Sequence, residues 1–366
     1  MIYTGGTTGI PKGVMWRHDD LFRAFNTQGD PDVADLGVVA ERARRPNHPV
    51  GMPACPLMHG TGFLIALNQL NQAGTVVTPR AASFDAAELL DTVEREAVTV
   101  LAIVGDSFAR PLVATLDEQP GRWDLTSLKL IMSSGVMWSA PVKQGLLRHA
   151  PDVLLADLLG STEALGMGSS VTSGRGGAST ASFELGANAI VLDDDDRPVV
   201  AGSGVVGRLA VKSITPVGYY KDPDKSARTF KEIDGERWSI PGDFATVETD
   251  GTLRLLGRGS VCINTGGEKV FPEEVEEALK THPSVRDAIV VGVPDERFGE
   301  AICALVECHN GATTSEDLKA HVKSRMARYK APRHVLIVDS LRRAPNGKAD
   351  YAATRNRALE ALVPDA

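Results

Sequence analysis

The opening stretch Met1-Ile2-Tyr3-Thr4-Gly5-Gly6-Thr7-Thr8-Gly9-Ile10-Pro11-Lys12-Gly13-Val14 constrains this chain more than any other. Apolar residues lead into a run of Gly and Thr closed by Pro, Lys and Gly. Glycines leave backbone N–H groups free to converge on one anion. Thr4, Thr7 and Thr8 add hydroxyl donors, and Lys12 adds a mobile positive charge. Such a set suits a polyphosphate, although Gly/Thr clusters also mark plain flexible loops. The Walker pattern is absent, because Lys12 follows Pro11 and precedes Gly13.

The order Tyr-Thr-Gly-Gly-Thr-Thr-Gly-x-Pro-Lys-Gly resembles the phosphate loop of the adenylate-forming superfamily. That family includes acyl-CoA synthetases, firefly luciferase and the adenylation domains of peptide synthetases. Gly5 stands where the family usually has Ser. The resemblance implies that Thr4, Gly5, Gly6, Thr7, Thr8, Gly9 and Lys12 cradle the phosphates of ATP. In the family a long segment precedes this loop. The chain therefore reads as lacking the N-terminal part of its large domain, or as having its start codon placed late.

The remaining composition is that of an ordinary globular protein. The chain has 366 residues, 43% hydrophobic and 23% charged, enough for two or more cores. Its formal net charge is −8 and its pI about 5.6. No basic stripe of the kind a nucleic-acid binder carries is present. An anionic substrate must then be held by local donors rather than by a global positive field. Cys55, Cys262, Cys303 and Cys308 form no C-x-x-C pair and read as packed thiols in a reducing compartment. No signal peptide and no apolar run of membrane-spanning length is seen, which makes the cytoplasm the default expectation.

Along the chain, helices are expected over 18–25 and 32–45. Strands at 50–53, 75–78, 98–104, 128–132 and 153–158 then alternate with helices at 62–70, 86–96, 107–116 and 140–149. Apolar strands separated by helices predict a parallel sheet with crossover helices, whose ligands sit beyond the carboxyl ends of the strands. Residues 166–182, rich in Gly, Ser and Thr, read as a loop. Short strands at 189–192, 205–211, 238–240 and 253–256 predict a small antiparallel β unit. Gly202-x-Gly204-x-x-Gly207 matches the dinucleotide fingerprint in spacing but leads into a strand, so it is rejected. Asp193 to Asp196 reads as a solvated turn, since no Gly or Glu follows at calcium-loop spacing. After Gly257-Arg258-Gly259 the pattern changes to a compact α+β unit. Its expected helices are at 272–279, 317–326 and 352–362, and its strands at 288–293, 302–308 and 334–338. The fold class is thus an α/β large domain, 1–257, followed by a small α+β C-terminal domain, 258–366.

Four further motifs match the same family in order. Leu159-Gly160-Ser161-Thr162-Glu163 follows a strand and resembles the Tyr-Gly-x-Thr-Glu motif. This resemblance makes Glu163 a magnesium ligand, with Thr162 beside it, and puts Leu159 on adenine where Tyr is usual. A carboxylate next to bound phosphates is chemically suited to magnesium, which takes one or two such ligands. Ser239-Ile240-Pro241-Gly242-Asp243 resembles the Thr-Gly-Asp motif, whose Asp accepts from both ribose hydroxyls. The stretch from Gly257 to Lys269 resembles the hinge motif. Arg258 then contacts ribose or phosphate, Ser260 takes the hinge position, and Gly267 belongs to the segment that swings toward the thiol acceptor. Lys348, in Pro345-Asn346-Gly347-Lys348, matches the catalytic Lys that bridges the substrate carboxylate and the α-phosphate. A positioned cation suits that chemistry, because carboxylate attack on phosphorus brings two anions together.

His59 and Gly60, in Pro56-Leu57-Met58-His59-Gly60-Thr61-Gly62, match the motif that lines the acyl pocket. A general-base role for His59 competes with a gating or packing role, and the latter fits better because a carboxylate substrate is already ionised. Gly135, Val136 and Met137 fall between the acyl and nucleotide sites, while Met137 and Trp138 also suit a core. The resemblance implies an ATP- and Mg2+-dependent acyl-CoA synthetase: an acyl-adenylate forms, the C-terminal domain rotates, and coenzyme A displaces AMP. Met15 to Asp20 look most like actinobacterial fatty-acyl or steroid-side-chain ligases. The alternatives are an adenylation domain serving a carrier protein, a luciferase-like oxygenase, and a truncated, catalytically silent nucleotide-binding remnant.

Overall fold

The computed structural model describes residues 1–4, 12–26, 37–81, 83–212, 214–309, 313–344 and 347–362. Gly5, Gly6, Thr7, Thr8 and Gly9 lie outside the described residues. Their two flanks are described. Strand β1 (Ile2–Thr4) pairs antiparallel with β2 (Lys12–Met15), which sets Thr4 opposite Lys12. Helix α1 (His18–Asn26) carries Asp19 and Asp20 in its first turn, as the charge pattern predicts. Helix α2 (Gly37–Ala43) ends before Pro46, and the first part of the expected helix at 32–45 lies outside the described residues.

The alternation that follows is regular. It runs β3 (Val50–Pro53), α3 (Gly60–Asn71), β4 (Thr75–Val76), α4 (Ala86–Arg95), β5 (Val100–Ile103), α5 (Asp106–Glu118), β6 (Leu130–Ser134), α6 (Ala140–His149) and β7 (Leu154–Leu159). These five strands pair in parallel in the order β7-β6-β5-β3-β4. Helix α3 begins two residues earlier than expected. His59 caps it, accepting from the Thr61 N–H through Nδ1 at 3.3 Å. The core between sheet and helices joins Leu89, Val93, Leu101, Ile103, Leu112, Leu146 and Leu155. Trp138 is fully buried in this core, so of its two readings the core one holds.

Past β7 the structure departs from expectation. Residues 168–172 are not loop but a strand, β8 (Gly168–Thr172), antiparallel to β7. Gly168 and Thr172 face inward there, and a Cβ on Gly168 would lie 2.9 Å from the Glu184 carbonyl. Small polar residues hide this strand from an apolar-periodicity test. Strands β9 (Ser182–Leu185), β10 (Ala189–Leu192), β11 (Gly207–Lys212), β12 (Gly218–Tyr219), β13 (Phe230–Ile233), β14 (Glu236–Ser239), β15 (Asp243–Val247) and β16 (Leu253–Arg258) follow, with α7 (Pro223–Thr229) between β12 and β13. The antiparallel unit is therefore not separate. Through β8, β9 and β16 it continues the parallel sheet edge to edge, while β12 joins β1 and β2. Gly207 starts a strand, in agreement with the rejected dinucleotide reading.

The C-terminal unit contains β17 (Ile263–Thr265), β18 (Glu268–Val270), α8 (Pro272–Lys280), β19 (Val285–Asp295), β20 (Gly299–Cys308), α9 (Ser315–Lys323), β21 (His334–Ile337) and α10 (Tyr351–Leu362). Along β19, Ala288 and Val290 face α8 and α9, whereas Ile289, Val291 and Val293 face α10. Period-two alternation thus sends apolar side chains to two covered faces, which explains the continuous apolar run. Helix α9 begins at Ser315, earlier than expected, because Thr314 and Asp317 form a capping box. Among the described residues no helix is long and apolar enough to cross a membrane.

One buried ion pair locks α6 to β7. Lys143 Nζ donates to Asp157 Oδ2 at 3.0 Å and to the Ser179 carbonyl at 3.0 Å, over the face of Trp138. Burial pushes the Asp157 carboxyl up to about 6, against the opposing charge of Lys143. Removing the lysine would strand a buried carboxyl. Lys143→Met is expected to reduce unfolding free energy by about 3 kcal/mol, and the added Asp157→Asn change should restore part of that loss, as read by urea denaturation.

Candidate functional site

The turn after β7 is held from three sides. Trp16 Nε1, just past β2, donates to the Thr162 carbonyl at 2.9 Å. Ser239 Oγ, at the end of β14, donates to the Glu163 carbonyl at 2.8 Å. Within the turn, the N–H groups of Glu163 and Ala164 both reach Ser161 Oγ at 3.2 Å. Gly60 approaches closely, since a Cβ there would meet Thr162 Cγ2 at 2.7 Å. Gly160, Ser161 and Thr162 are thereby fixed where strand β7 leaves the sheet, with half-buried Leu159 at its end.

Glu163 is 5% exposed and still carries its charge. Burial alone would raise its carboxyl. The Tyr219 hydroxyl donating to Oε1 at 2.7 Å, the Thr162 hydroxyl donating to Oε2 at 2.8 Å and the nearby Arg258 outweigh burial, and its pKa is lowered. Burial and the charge of Glu163 in turn hold the Tyr219 phenol protonated.

Asp243 and Arg258 face each other across β15 and β16, with Arg258 Nε donating to Asp243 Oδ1 at 3.2 Å. The other oxygen, Asp243 Oδ2, is buried with no hydrogen-bond partner among the described residues. A buried carboxylate oxygen left open in this way is an acceptor site for a ligand hydroxyl.

The C-terminal unit delivers Lys348 to the same place. Ser107 Oγ, on α5, donates to the Gly347 carbonyl at 3.1 Å and fixes the preceding residue against the large domain. Gly135 follows β6 at φ +93°, and a Cβ there would lie 3.6 Å from His59 Cε1, 3.6 Å from Thr61 Oγ1 and 3.7 Å from Lys348 Cε. Burial and the charge of Arg258 lower the pKa of Lys348, while Glu163 and Asp243 act in the opposite direction. His59 is pulled down to about 4 by burial and by Lys348, so its imidazole is neutral at pH 7. Its Nδ1 already accepts from Thr61. A weakly basic imidazole whose Nδ1 is engaged suits packing or gating better than a base role.

Of the other residues singled out in the sequence, Val136 packs on the large core and the Met137 carbonyl accepts from the Asp106 N–H at 3.2 Å. Lys12 forms an ion pair with Asp222 at 2.6 Å. Ser260 lies in a short 3-10 turn, Gly259–Val261, between β16 and β17. Gly267, at φ +89°, follows β17 and has no atom within 4 Å of where a side chain would begin. Thr4 sits in β1 opposite Lys12. Sequence reasoning missed Tyr219, Asp222 and Lys225. The available signal was Asp222-Pro223, an N-cap followed by Pro at the first helical position.

A single carboxylate, ionised and beside the site of the Gly/Thr loop's flank, fits a magnesium ion shared with phosphates. Among the described residues no group of three or more His, Cys, Asp or Glu could enclose a metal without such help.

These features define a nucleotide-binding fold of the adenylate-forming kind. The chain belongs to the AMP-binding enzyme family: the AMP-binding enzyme model matches residues 1–220, and the model of the AMP-binding enzyme C-terminal domain matches residues 274–348. It is 43% identical over 363 residues to the medium/long-chain-fatty-acid--CoA/3-oxocholest-4-en-26-oate--CoA ligase of Mycolicibacterium smegmatis, covering 96% of this chain and 65% of that one. It is 41% identical over 364 residues to the 3-oxocholest-4-en-26-oate--CoA ligase of Rhodococcus rhodochrous, with coverage of 96% and 65%. The chain thus spans about 65% of the length of these relatives. Among solved structures, ATP-bound MatB from Rhodopseudomonas palustris superposes with a TM-score of 0.77 at 26% identity, over 97% of this chain and 67% of that one. The amide bond synthetase McbA from Marinactinospora thermotolerans gives 0.76 at 26% identity, over 97% and 69%.

A second buried carboxylate stands where the two units meet. The Glu273 carboxyl, on α8, packs against the backbone of Gly257, and its Oε2 is buried without a partner among the described residues. Burial raises its pKa, as do Glu276 on the same helix and Asp243 on β15; backbone N–H groups, that of Arg258 included, oppose them. A raised acid binds a proton in the folded state that the unfolded chain has already lost, so stability falls as pH rises through that window. Glu273→Gln should gain thermal stability relative to the parent chain from about pH 6 to about pH 9, and the gain should shrink toward about pH 4. A pH-independent difference would remove this titration from the boundary.

Proposed function

We propose that this chain is an ATP-dependent acyl-CoA synthetase that activates a carboxylic acid as its adenylate and then transfers the acyl group to coenzyme A. The names of the relatives support an acid with a large apolar body, either a medium or long fatty acid or a steroid with a carboxylated side chain. The observation that carries the reading is the location of Lys348. It comes from the C-terminal unit yet lies against Gly135 and His59 of the large one, in the field of Glu163 and Asp243.

Each residue then has a physical role. Asp243 holds the ribose hydroxyls through its open Oδ2, steadied by Arg258. The stretch Leu159 to Ser161 borders adenine. Thr4, Lys12 and the intervening Gly/Thr residues take the phosphates. Glu163 would hold magnesium, which neutralises phosphate charge when bound. His59, Gly60, Gly135, Val136 and Met137 bound the acid, and exposed Leu57 and Met58 beside His59 extend an apolar approach to it. Lys348 places its ammonium between the incoming carboxylate and the α-phosphate. That charge is worth more in a partly dry site than in water, because the two reacting anions are poorly screened there.

The division at 257/258 fits this chemistry. Residues 1–257 form the nucleotide-binding body and 258–366 the mobile lid, with Ser260 in the turn that rotates. Gly257, at φ +135°, stands just before that turn, in a backbone conformation other residues rarely adopt. Rotation would withdraw Lys348 and bring the Gly267 segment toward the thiol, so that one site serves two half-reactions.

The test is carboxylate-dependent ATP–pyrophosphate exchange by the 366-residue chain, with fatty and steroid-derived acids, followed by thioester formation with coenzyme A. Exchange with at least one acid and CoA-dependent product are expected; AMP binding without exchange would identify a silent remnant instead. Lys348→Ala should slow exchange roughly 10²–10³-fold with nucleotide affinity little changed. Asp243→Ala should weaken AMP binding by about tenfold, measured by calorimetry, through loss of a charge-assisted hydrogen bond.

A further inference from the structure

Two ammonium groups share one aromatic ring beside Glu163. Lys12 Nζ lies 5.8 Å from the centroid of the Tyr219 ring, and Lys225 Nζ lies 5.1 Å from it. Asp222 organises both. Its Oδ2 holds Lys12 Nζ at 2.6 Å, and its Oδ1 accepts the backbone N–H of Lys225 at 3.1 Å while capping α7. The one carboxylate therefore neutralises Lys12 and positions Lys225 without pairing with the Lys225 ammonium. Among the described residues no carboxylate lies in ion-pair contact with Lys225, and its side chain is half-buried. Burial first, and then the neighbouring charge of Lys12, pull the Lys225 ammonium below its ordinary value, against the opposing charges of Glu163 and Asp222.

The position of this pair of ammonium groups gives it a partner. Lys12 is the first described residue after the Gly/Thr loop, and β2 pairs with β12 so that Val14 lies opposite Tyr219. The Tyr219 hydroxyl points to Glu163. Asp243, Arg258 and Lys348 take the ribose and α-phosphate in the reading above. The Lys12–Lys225 pair stands by the Tyr219 ring, whose hydroxyl reaches Glu163. A polyanion extending from the α-phosphate past Glu163 toward the loop would end here.

We infer that Lys225 binds the departing pyrophosphate. This rests on the adenylation proposed above. In that step a carboxylate oxygen of the acid forms a bond to the α-phosphorus. The bond from the α-phosphorus to the bridging oxygen of the β-phosphate breaks, and its electron pair stays on pyrophosphate. No proton transfer or redox change is required. The leaving group gains charge as the bond breaks, and a cation with no competing carboxylate is the group that stabilises it. Lys12, already paired, supplies less.

The experiment compares the 366-residue parent with Lys225→Met and Lys225→Arg. Calorimetric titration with magnesium pyrophosphate should show about tenfold weaker binding in the Met variant and near-parent binding in the Arg variant, since only the charge is restored. AMP affinity should be unchanged in both. In the exchange assay the KM for pyrophosphate should rise in the Met variant while the KM for the acid stays constant. Parent-like pyrophosphate affinity in Lys225→Met would overturn the assignment, as would equal loss of AMP affinity or failure of the parent to bind pyrophosphate. The titration needs no turnover. If the parent binds pyrophosphate but exchanges with no acid, the synthetase reading fails and the Lys225 result still stands or falls on its own.

Discussion

The arrangement depends on keeping one carboxylate charged while buried. Glu163 stays ionised because Tyr219 and Thr162 donate to its two oxygens and Arg258 lies near. Those donors come from different parts of the fold. Tyr219 belongs to the sheet that flanks the Gly/Thr loop, Thr162 to the turn after the parallel sheet, and Arg258 to the end of β16, where the two units join. Trp16 and Ser239 add bonds to the same turn through its backbone carbonyls. A buried carboxylate without such donors would be strongly destabilising or would protonate. Satisfying Glu163 therefore requires all three regions to be in register.

The boundary between the two units shows the same logic with the opposite sign. Glu273 lacks a partner for one oxygen and is packed against Gly257, so its neutral form is favoured. The adjacent Glu274 is instead paired with Lys330 at 2.7 Å. Neighbouring acids on one helix thus differ in surroundings: one meets a lysine, the other backbone and further acids. The contact of α8 with β16, together with the Ser107–Gly347 hydrogen bond, holds the C-terminal unit where Lys348 reaches the large domain. Lysine on a terminal segment would normally stay solvated; here the fold of its own domain and the dock against α5 bring it inward.

Positive charge is local in a chain whose net charge is −8. Lys225, Arg258 and Lys348 interact with the charge of Glu163, Lys12 lies by the ring of its partner Tyr219, and acids hold some of these cations. Asp222 fixes Lys12 and Asp243 fixes Arg258. An anionic ligand is met by oriented cations rather than by a long-range field, which salt would screen within about 8 to 10 Å.

Much of this was legible in the residues themselves. Helical and alternating periodicity located the crossover helices and the parallel strands, because burial of one face leaves a local pattern. Thr162-Glu163, Gly242-Asp243, Gly257 to Gly259 and the Gly347-Lys348 pair were visible as motifs, because each needs a particular residue type at a fixed local spacing. Strand β8 was not visible, since its residues are mostly small and polar and its one large apolar side chain, Val171, is exposed, so no apolar alternation marks it. Neither were Tyr219, Asp222 and Lys225, whose meaning lies in the pairing of β12 with β2. Sequence also left His59 between base and packing, and Trp138 between site and core. Tertiary structure closed the indole inside the large core, and it buried the imidazole with its Nδ1 already accepting from Thr61. Local chemistry is written in the order of residues, whereas charge state and partnership depend on which distant groups exclude water from them.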